Sequence, residues 1–223
     1  MTQRAQTLSE TITKTLWLQY LLHLPPGYGD DPQRRWPLII FLHGSGQRGT
    51  DVEQVKKHGM PKLVDQQPDF PAIVVSPQCP PETNWIWEWE SLDALFDEIT
   101  TSYAVDSDRI YLTGLSMGGY GTWHFAVRHP ERFAAVVPIC GGGDWYAGFP
   151  EKACVLKDVP LWVFHGANDE VVLPSESQEL VDALQACGGN VRFTLYPEVG
   201  HNSWDLAYAE PDLFPWLFAQ VRR

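Results

Sequence analysis

The stretch Arg109-Ile110-Tyr111-Leu112-Thr113-Gly114-Leu115-Ser116-Met117-Gly118-Gly119-Tyr120-Gly121 decides the fold. It opens as a β-rich apolar run, Ile110 to Leu115, and continues after an abrupt turn as a helical pattern from Gly118 to Arg128. At the turn stands Gly114-Leu115-Ser116-Met117-Gly118, a complete G-x-S-x-G. A serine raised on a tight strand-to-helix corner sits on strained backbone. Bulky residues two positions before and after it would collide, so both are Gly. The following helix points free N–H groups and the positive end of its dipole at Ser116, which favours developing negative charge. A glycine-rich turn without chemistry has the same spacing. Ser116 as nucleophile therefore rests on the strand before it, the helix after it and partners downstream.

Working outward, Trp36 to Leu42 is a continuous apolar run, as expected of a parallel strand buried on both faces. Ala72 to Ser76, Ala134 to Ile139, Leu161 to His165 and Val191 to Tyr196 read as further strands. Helical spacing covers Trp89 to Tyr103 and Pro174 to Ala186, with a short helix over Asp51 to Lys57. Asp205 to Gln220 reads as mostly helical, broken at Pro211 and Pro215, and Thr11 to Leu24 as a long edge strand or a hairpin. Strands alternating with helices imply an α/β fold, a mostly parallel central sheet with helices on both faces. No repeat, low-complexity segment or linker interrupts residues 1–223, which read as a single domain.

In open α/β sheets functional residues collect at the carboxyl ends of the strands. After Leu161–His165 comes Gly166-Ala167-Asn168-Asp169-Glu170, where an acid is placed to accept a histidine Nδ1–H and fix its tautomer. Asp169 is the candidate. Glu170 and Asp144 are competitors, and a loop Asp also caps turns. After the last strand comes Glu198-Val199-Gly200-His201-Asn202, with His201 the candidate general base. The order Ser116, Asp169, His201, each after a separate strand, gives three weak signals joint force. After Trp36–Leu42 comes His43-Gly44-Ser45-Gly46. Acyl transfer needs two N–H groups aimed at the oxyanion. Met117 and Ser45 are the expected donors.

The strings FLHGSGQRG, SPQCP, DRIYLTGLSMGGYGTW, PICGGGD, VFHGANDEVV and YPEVGHNSW resemble the α/β-hydrolase superfamily. Within it they are similar to lidless phospholipase/carboxylesterases, dienelactone hydrolases and polyhydroxybutyrate-depolymerase or feruloyl-esterase-like proteins, some labelled predicted peptidases. The resemblance covers roughly residues 18–217. It implies an α/β-hydrolase fold, a Ser116–Asp169–His201 triad and oxyanion donors Ser45 and Met117. Dienelactone hydrolases use a Cys nucleophile, whereas this chain has Ser116. The family places a tryptophan beside the acyl or leaving-group pocket, which points to Trp85, and Trp145, Tyr146 and Trp204 join it as candidate substrate walls. His43 and His165 are structural in such proteins.

Composition narrows the partners. The chain has 223 residues, 44% hydrophobic, with a formal net charge of -12 and no basic run. Phosphate backbones are repelled by such a surface, so a nucleic-acid partner is not expected. No apolar stretch reaches membrane-spanning length, and Met1 to Thr15 is polar without a signal-peptide core, so a cytoplasmic protein is expected. Cys79, Cys140, Cys154 and Cys187 contain no C-x-x-C and read as reduced thiols, with a Cys140–Cys154 bridge left open. The seven His have no zinc-binding spacing, so neither metal nor cofactor is expected. The expected reaction is hydrolysis of a small-molecule ester, short-acyl or aryl, through an acyl-enzyme. Thioester or peptide cleavage uses the same machinery. A catalytically dead binding protein is the reading from another class. Only Cys140 to Val159 separates two strands where lipases of this fold carry a lid, so no cap domain is expected.

Overall fold

The computed structural model describes residues 3–222; residues 1, 2 and 223 of the expected 1–223 domain lie outside the described residues. Seven strands form one sheet: β1 (Tyr20–His23), β2 (Trp36–Leu42), β3 (Ile73–Pro77), β4 (Val105–Leu115), β5 (Ala135–Ile139), β6 (Leu161–Gly166) and β7 (Val191–Tyr196). Their order is β1-β3-β2-β4-β5-β6-β7, and every pairing is parallel except β1 with β3. The order reverses at β2. The chain moves outward to β3 on one side and returns to place β4 on the other. Such a reversal opens a crevice at the carboxyl ends of β2 and β4.

The central strands β2 to β6 carry side chains buried on both faces, which is why they read as unbroken apolar runs. Alternate residues feed two separate cores. Leu38, Ile40, Leu112 and Val163 pack on one face against α2 (Trp89–Ser102), α3 (Met117–Arg128) and α4 (Pro174–Ala186). Ile39, Phe41, Tyr111 and Phe164 pack on the other against α1 (Gly59–Gln66), α5 (Trp204–Ala209) and α6 (Leu213–Ala219). This is the α/β-hydrolase architecture expected from the sequence.

Three local expectations change. Of the expected strand over Thr11–Leu24, only Tyr20–His23 pairs. Gln78 N–H adds one bond to Gln19 O at 2.7 Å; beyond it Cys79 N–H is taken by His43 Nε2 and Pro80-Pro81 offer no donor. Pro215 does not break a helix. It lies in the first turn of α6, where its missing N–H is not needed. Cys154 bonds Cys187, so these two are not reduced thiols and Cys140 is not Cys154's partner. The chain folds Glu151–Leu156, a 3-10 turn, against α4, which brings the end of that helix to Cys154. Cys79 and Cys140 are free and buried. Between β5 and β6 the chain forms only two 3-10 turns, Trp145–Ala147 and Glu151–Leu156. No helix of the described residues is long and apolar enough to cross a membrane.

Candidate active site

The corner after β4 has the strain its sequence implies. Ser116 has φ 53 and ψ -118, in the region non-glycine residues avoid. A Cβ at Gly118 would collide with the Leu42 carbonyl, and one at Gly114 with the Gly118 carbonyl. Glycine at both positions is therefore what lets α3 approach the ends of β2 and β4. The Ser116 N–H donates to Ile139 O at 3.0 Å and fixes the corner against β5.

The exits of β6 and β7 are drawn together. A Cβ at Gly166 would collide with the carbonyls of Val199 and Gly200, and Asn168 N–H donates to Val199 O at 2.9 Å. This contact carries the two loops that hold Asp169 and His201 toward Ser116. His201 Nδ1–H donates to Asp169 Oδ2 at 2.7 Å, and Ser116 O–H reaches His201 Nε2 at 2.9 Å. The partners themselves fix this tautomer, since Nδ1 faces a carboxylate. Asp169 is almost fully buried. Its Oδ1 accepts the N–H groups of Val171 and Val172 at 2.9 and 3.0 Å. Burial works to raise its pKa. The hydrogen bonds from His201, Val172 and Val171 outweigh that and hold it below the ordinary value of 3.8. Glu170 is exposed, and Asp144 lies 3.3 Å from His124, so neither competitor reaches His201.

The loop after β2 passes over the nucleophile. A Cβ at Gly44 would stand 3.5 Å from Ser116 Cβ, and Ser45 begins the next turn, Ser45–Gln47. Among the described residues neither Ser45 nor Met117 N–H donates to a backbone carbonyl. His43 braces this loop from below. Its Nε2 accepts Cys79 N–H at 2.9 Å, which leaves Nδ1–H to donate to Gly44 O at 2.6 Å. Burial lowers its pKa to about 4. Trp85 completes the brace. It was expected at the substrate wall, but it is only 1% exposed. Its Nε1–H bonds His43 O at 2.9 Å, and its ring stands edge-on to the His43 ring. The correction has a steric cause: Gly121 on α3 leaves room for the indole to drop into the core.

The other aromatic candidates stay near the surface. Trp145 is 82% and Tyr146 65% exposed on the loop after β5. Trp145 lines a cavity of about 270 Å³ with Tyr120, Asp144, Phe149 and Glu176. Trp204 stands perpendicular to the His201 ring at 5.4 Å between centroids. Cys140 Sγ, an Asp169 oxygen and a His201 nitrogen lie within 4.8 Å of one another, a set of metal-ligand types. Burial pushes the Cys140 thiol up to about 12, and a proton already links Asp169 to His201. Metal ligation needs those protons gone, so the donors do not suit a resident ion.

A family model described as Phospholipase/Carboxylesterase matches residues 88–208. Among curated proteins the chain is similar to the bifunctional acetylxylan esterase/xylanase XynS20E of Neocallimastix patriciarum, at 29% identity over 147 residues, 61% of this chain and 20% of that protein. It is also similar to dipeptidyl-peptidase 5 of Porphyromonas gingivalis, at 24% identity over 224 residues, 80% of this chain and 32% of that protein. The chain thus spans a third or less of the length of these two relatives. Among solved structures it resembles a thermostable esterase, with a TM-score of 0.78 and 36% identity, covering 92% of this chain and 60% of that one.

Proposed function

The chain belongs to the phospholipase/carboxylesterase family, and we propose that it is a serine carboxylic-ester hydrolase working through Ser116, His201 and Asp169. One observation carries this reading: the unbroken hydrogen-bond path from Ser116 through His201 to Asp169, with the serine held at positive φ. Ser116 Oγ attacks the ester carbonyl while its proton passes to His201 Nε2. The oxyanion is held by the N–H groups of Ser45 and Met117. His201 then protonates the leaving alcohol as its C–O bond breaks. Water attacks the acyl-enzyme, gives a proton to His201, and the acid leaves as Ser116 regains its proton. Asp169 stays ionised throughout and stabilises the imidazolium. No metal or cofactor takes part in these steps.

Trp204 stands against His201, and Trp145 and Tyr146 are exposed after β5; this open aromatic surround suits short-acyl or aryl esters. The similarity to a dipeptidyl-peptidase favours a second reading, peptide cleavage. Amide hydrolysis is the harder reaction and draws on binding energy from remote parts of the substrate, for which this surface offers no enclosing wall. A panel of acyl esters, aryl esters, thioesters and peptides, run on the wild type and Ser116→Ala, tests the choice. Ester turnover abolished by Ser116→Ala supports the proposal. Peptide turnover matching ester turnover replaces it with the second reading, and no turnover leaves a hydrolase-fold binding protein. A cytoplasmic location is not favoured, since the Cys154–Cys187 disulfide suits an oxidising compartment.

A further inference from the structure

We infer that His165, a fully buried residue at the end of β6, is a positioning residue that clamps the carboxylate of Asp169 from the side opposite His201. The inference rests on the Ser116–His201–Asp169 reading.

His165 Nε2 lies 2.9 Å from Val172 O and 3.2 Å from Asp169 Oδ2. Both are acceptors, so Nε2 carries a proton. His165 Nδ1 lies 2.8 Å from Ser177 Oγ, and Ser177 Oγ lies 2.8 Å from Gly141 O. Burial lowers the His165 pKa and favours the neutral ring. Neutral His165 therefore donates from Nε2, and the single Ser177 hydroxyl proton is shared between two acceptors, Gly141 O and His165 Nδ1.

The Nε2–H acts on Asp169 in two ways. It faces Oδ2, the same oxygen that receives His201 Nδ1–H. It also holds Val172 by its carbonyl, while the Val172 N–H holds Asp169 Oδ1 at 3.0 Å. One imidazole thus stands against the acid at 3.2 Å and holds the peptide that cradles it. Ser177 on α4 packs its hydroxyl against the far side of the ring, at 2.8 Å from Nδ1. A carboxylate with these contacts cannot rotate without breaking several bonds in a buried site, where unmade bonds are costly.

Two amides separate the roles of the two ring nitrogens. His165→Gln carries its amide at the distance of Nε2 and keeps a donor toward Val172 and Asp169. His165→Asn carries its amide at the distance of Nδ1, keeps a partner for Ser177 and leaves Asp169 without that donor. Active sites are first titrated with a fluorophosphonate, so that misfolded molecules are not counted. His165→Asn should lower kcat per titrated site at least about tenfold with KM little changed, as expected when the Val172 carbonyl loses its buried donor and the carboxylate loses its nearest N–H dipole on that side. His165→Gln should stay within about threefold of the wild type. The low-field proton resonance of His201 Nδ1–H should move in the Asn variant and hold in the Gln variant. Wild-type kcat in His165→Asn overturns the inference. So does equal loss in both variants with the resonance unmoved, which would mark simple packing. Failure of the wild type itself to label overturns the serine-hydrolase reading, and this inference with it.

Discussion

At the residue scale the site depends on which protons sit where. Asp169 and Asp144 are both buried enough to pair with histidine, but only Asp169 meets His201. Asp169→Asn should lower kcat by about 10⁴-fold through the wrong His201 tautomer. Asp144→Asn should leave kcat within a few-fold, as steady-state assays of the two variants would read. His43 predicts an acid response. Its folded pKa of about 4 lies below the ordinary 6.5, so the unfolded chain binds a proton over an interval where the folded chain does not. The contribution of neutral His43 is whole above pH 6.5 and is lost as pH falls toward 4. Two to three units amount to about 3 kcal/mol. Urea unfolding at pH 7 and pH 4.5 should show a large drop in stability for the wild type. His43→Asn should start lower and show a smaller drop. Equal drops in both proteins would remove His43 from the explanation.

At the element scale the connection between β5 and β6 is the part the protein staples. The disulfide joins the turn Glu151–Leu156 to the residue after α4, across a sequence separation of 33. A loop of that length gives about 3–4 kcal/mol in the chain-entropy model. Cys154→Ser and Cys187→Ser should each lower unfolding free energy by about 2–4 kcal/mol, and reductant should do the same to the wild type but not to the variants. Unchanged melts in reductant would contradict the bridge. This bridge was not legible in the sequence, because cysteine spacing does not encode pairing. The parallel strands and the order of Ser116, Asp169 and His201 were legible. Buried strands write themselves as apolar runs, and functional loops follow strand ends. The helix α1 was missed because Gly59 and Pro61 look like breakers. Gly59 has φ 66 at the helix start and Pro61 lies in the first turn, where neither breaks a bond. Trp85 was misplaced because sequence marks a tryptophan as large and apolar without saying which way it turns. The His165 clamp is assembled from β6, α4 and two loops, and no local pattern announces it.

At the scale of the whole molecule, the sheet leaves its crevice open. Between β5 and β6 the chain spends its length on two 3-10 turns and a disulfide, and Ser116 remains partly exposed. Long acyl chains need an apolar tunnel to leave water, at roughly 25 cal/mol per Å² of apolar surface buried. Exposed Trp145 and Tyr146 offer an open edge-to-face aromatic pair instead. We expect kcat/KM to be highest for acetyl to butyryl or aryl-acyl esters, to fall for chains of about 12 carbons, and to show no activation at a lipid–water interface. A series of p-nitrophenyl esters of increasing chain length reads this out. A steady rise to the longest chains would mean that the loop carrying Trp145 encloses the substrate.

The central claim is that Ser116 is the nucleophile and that His201 makes it one. Labelling with a fluorophosphonate, followed by peptide mass spectrometry, tests it most directly. The account predicts one adduct per chain, on Ser116, with labelling abolished in Ser116→Ala and slowed by orders of magnitude in His201→Ala. An adduct on another residue, or ester turnover that survives in Ser116→Ala, would contradict it.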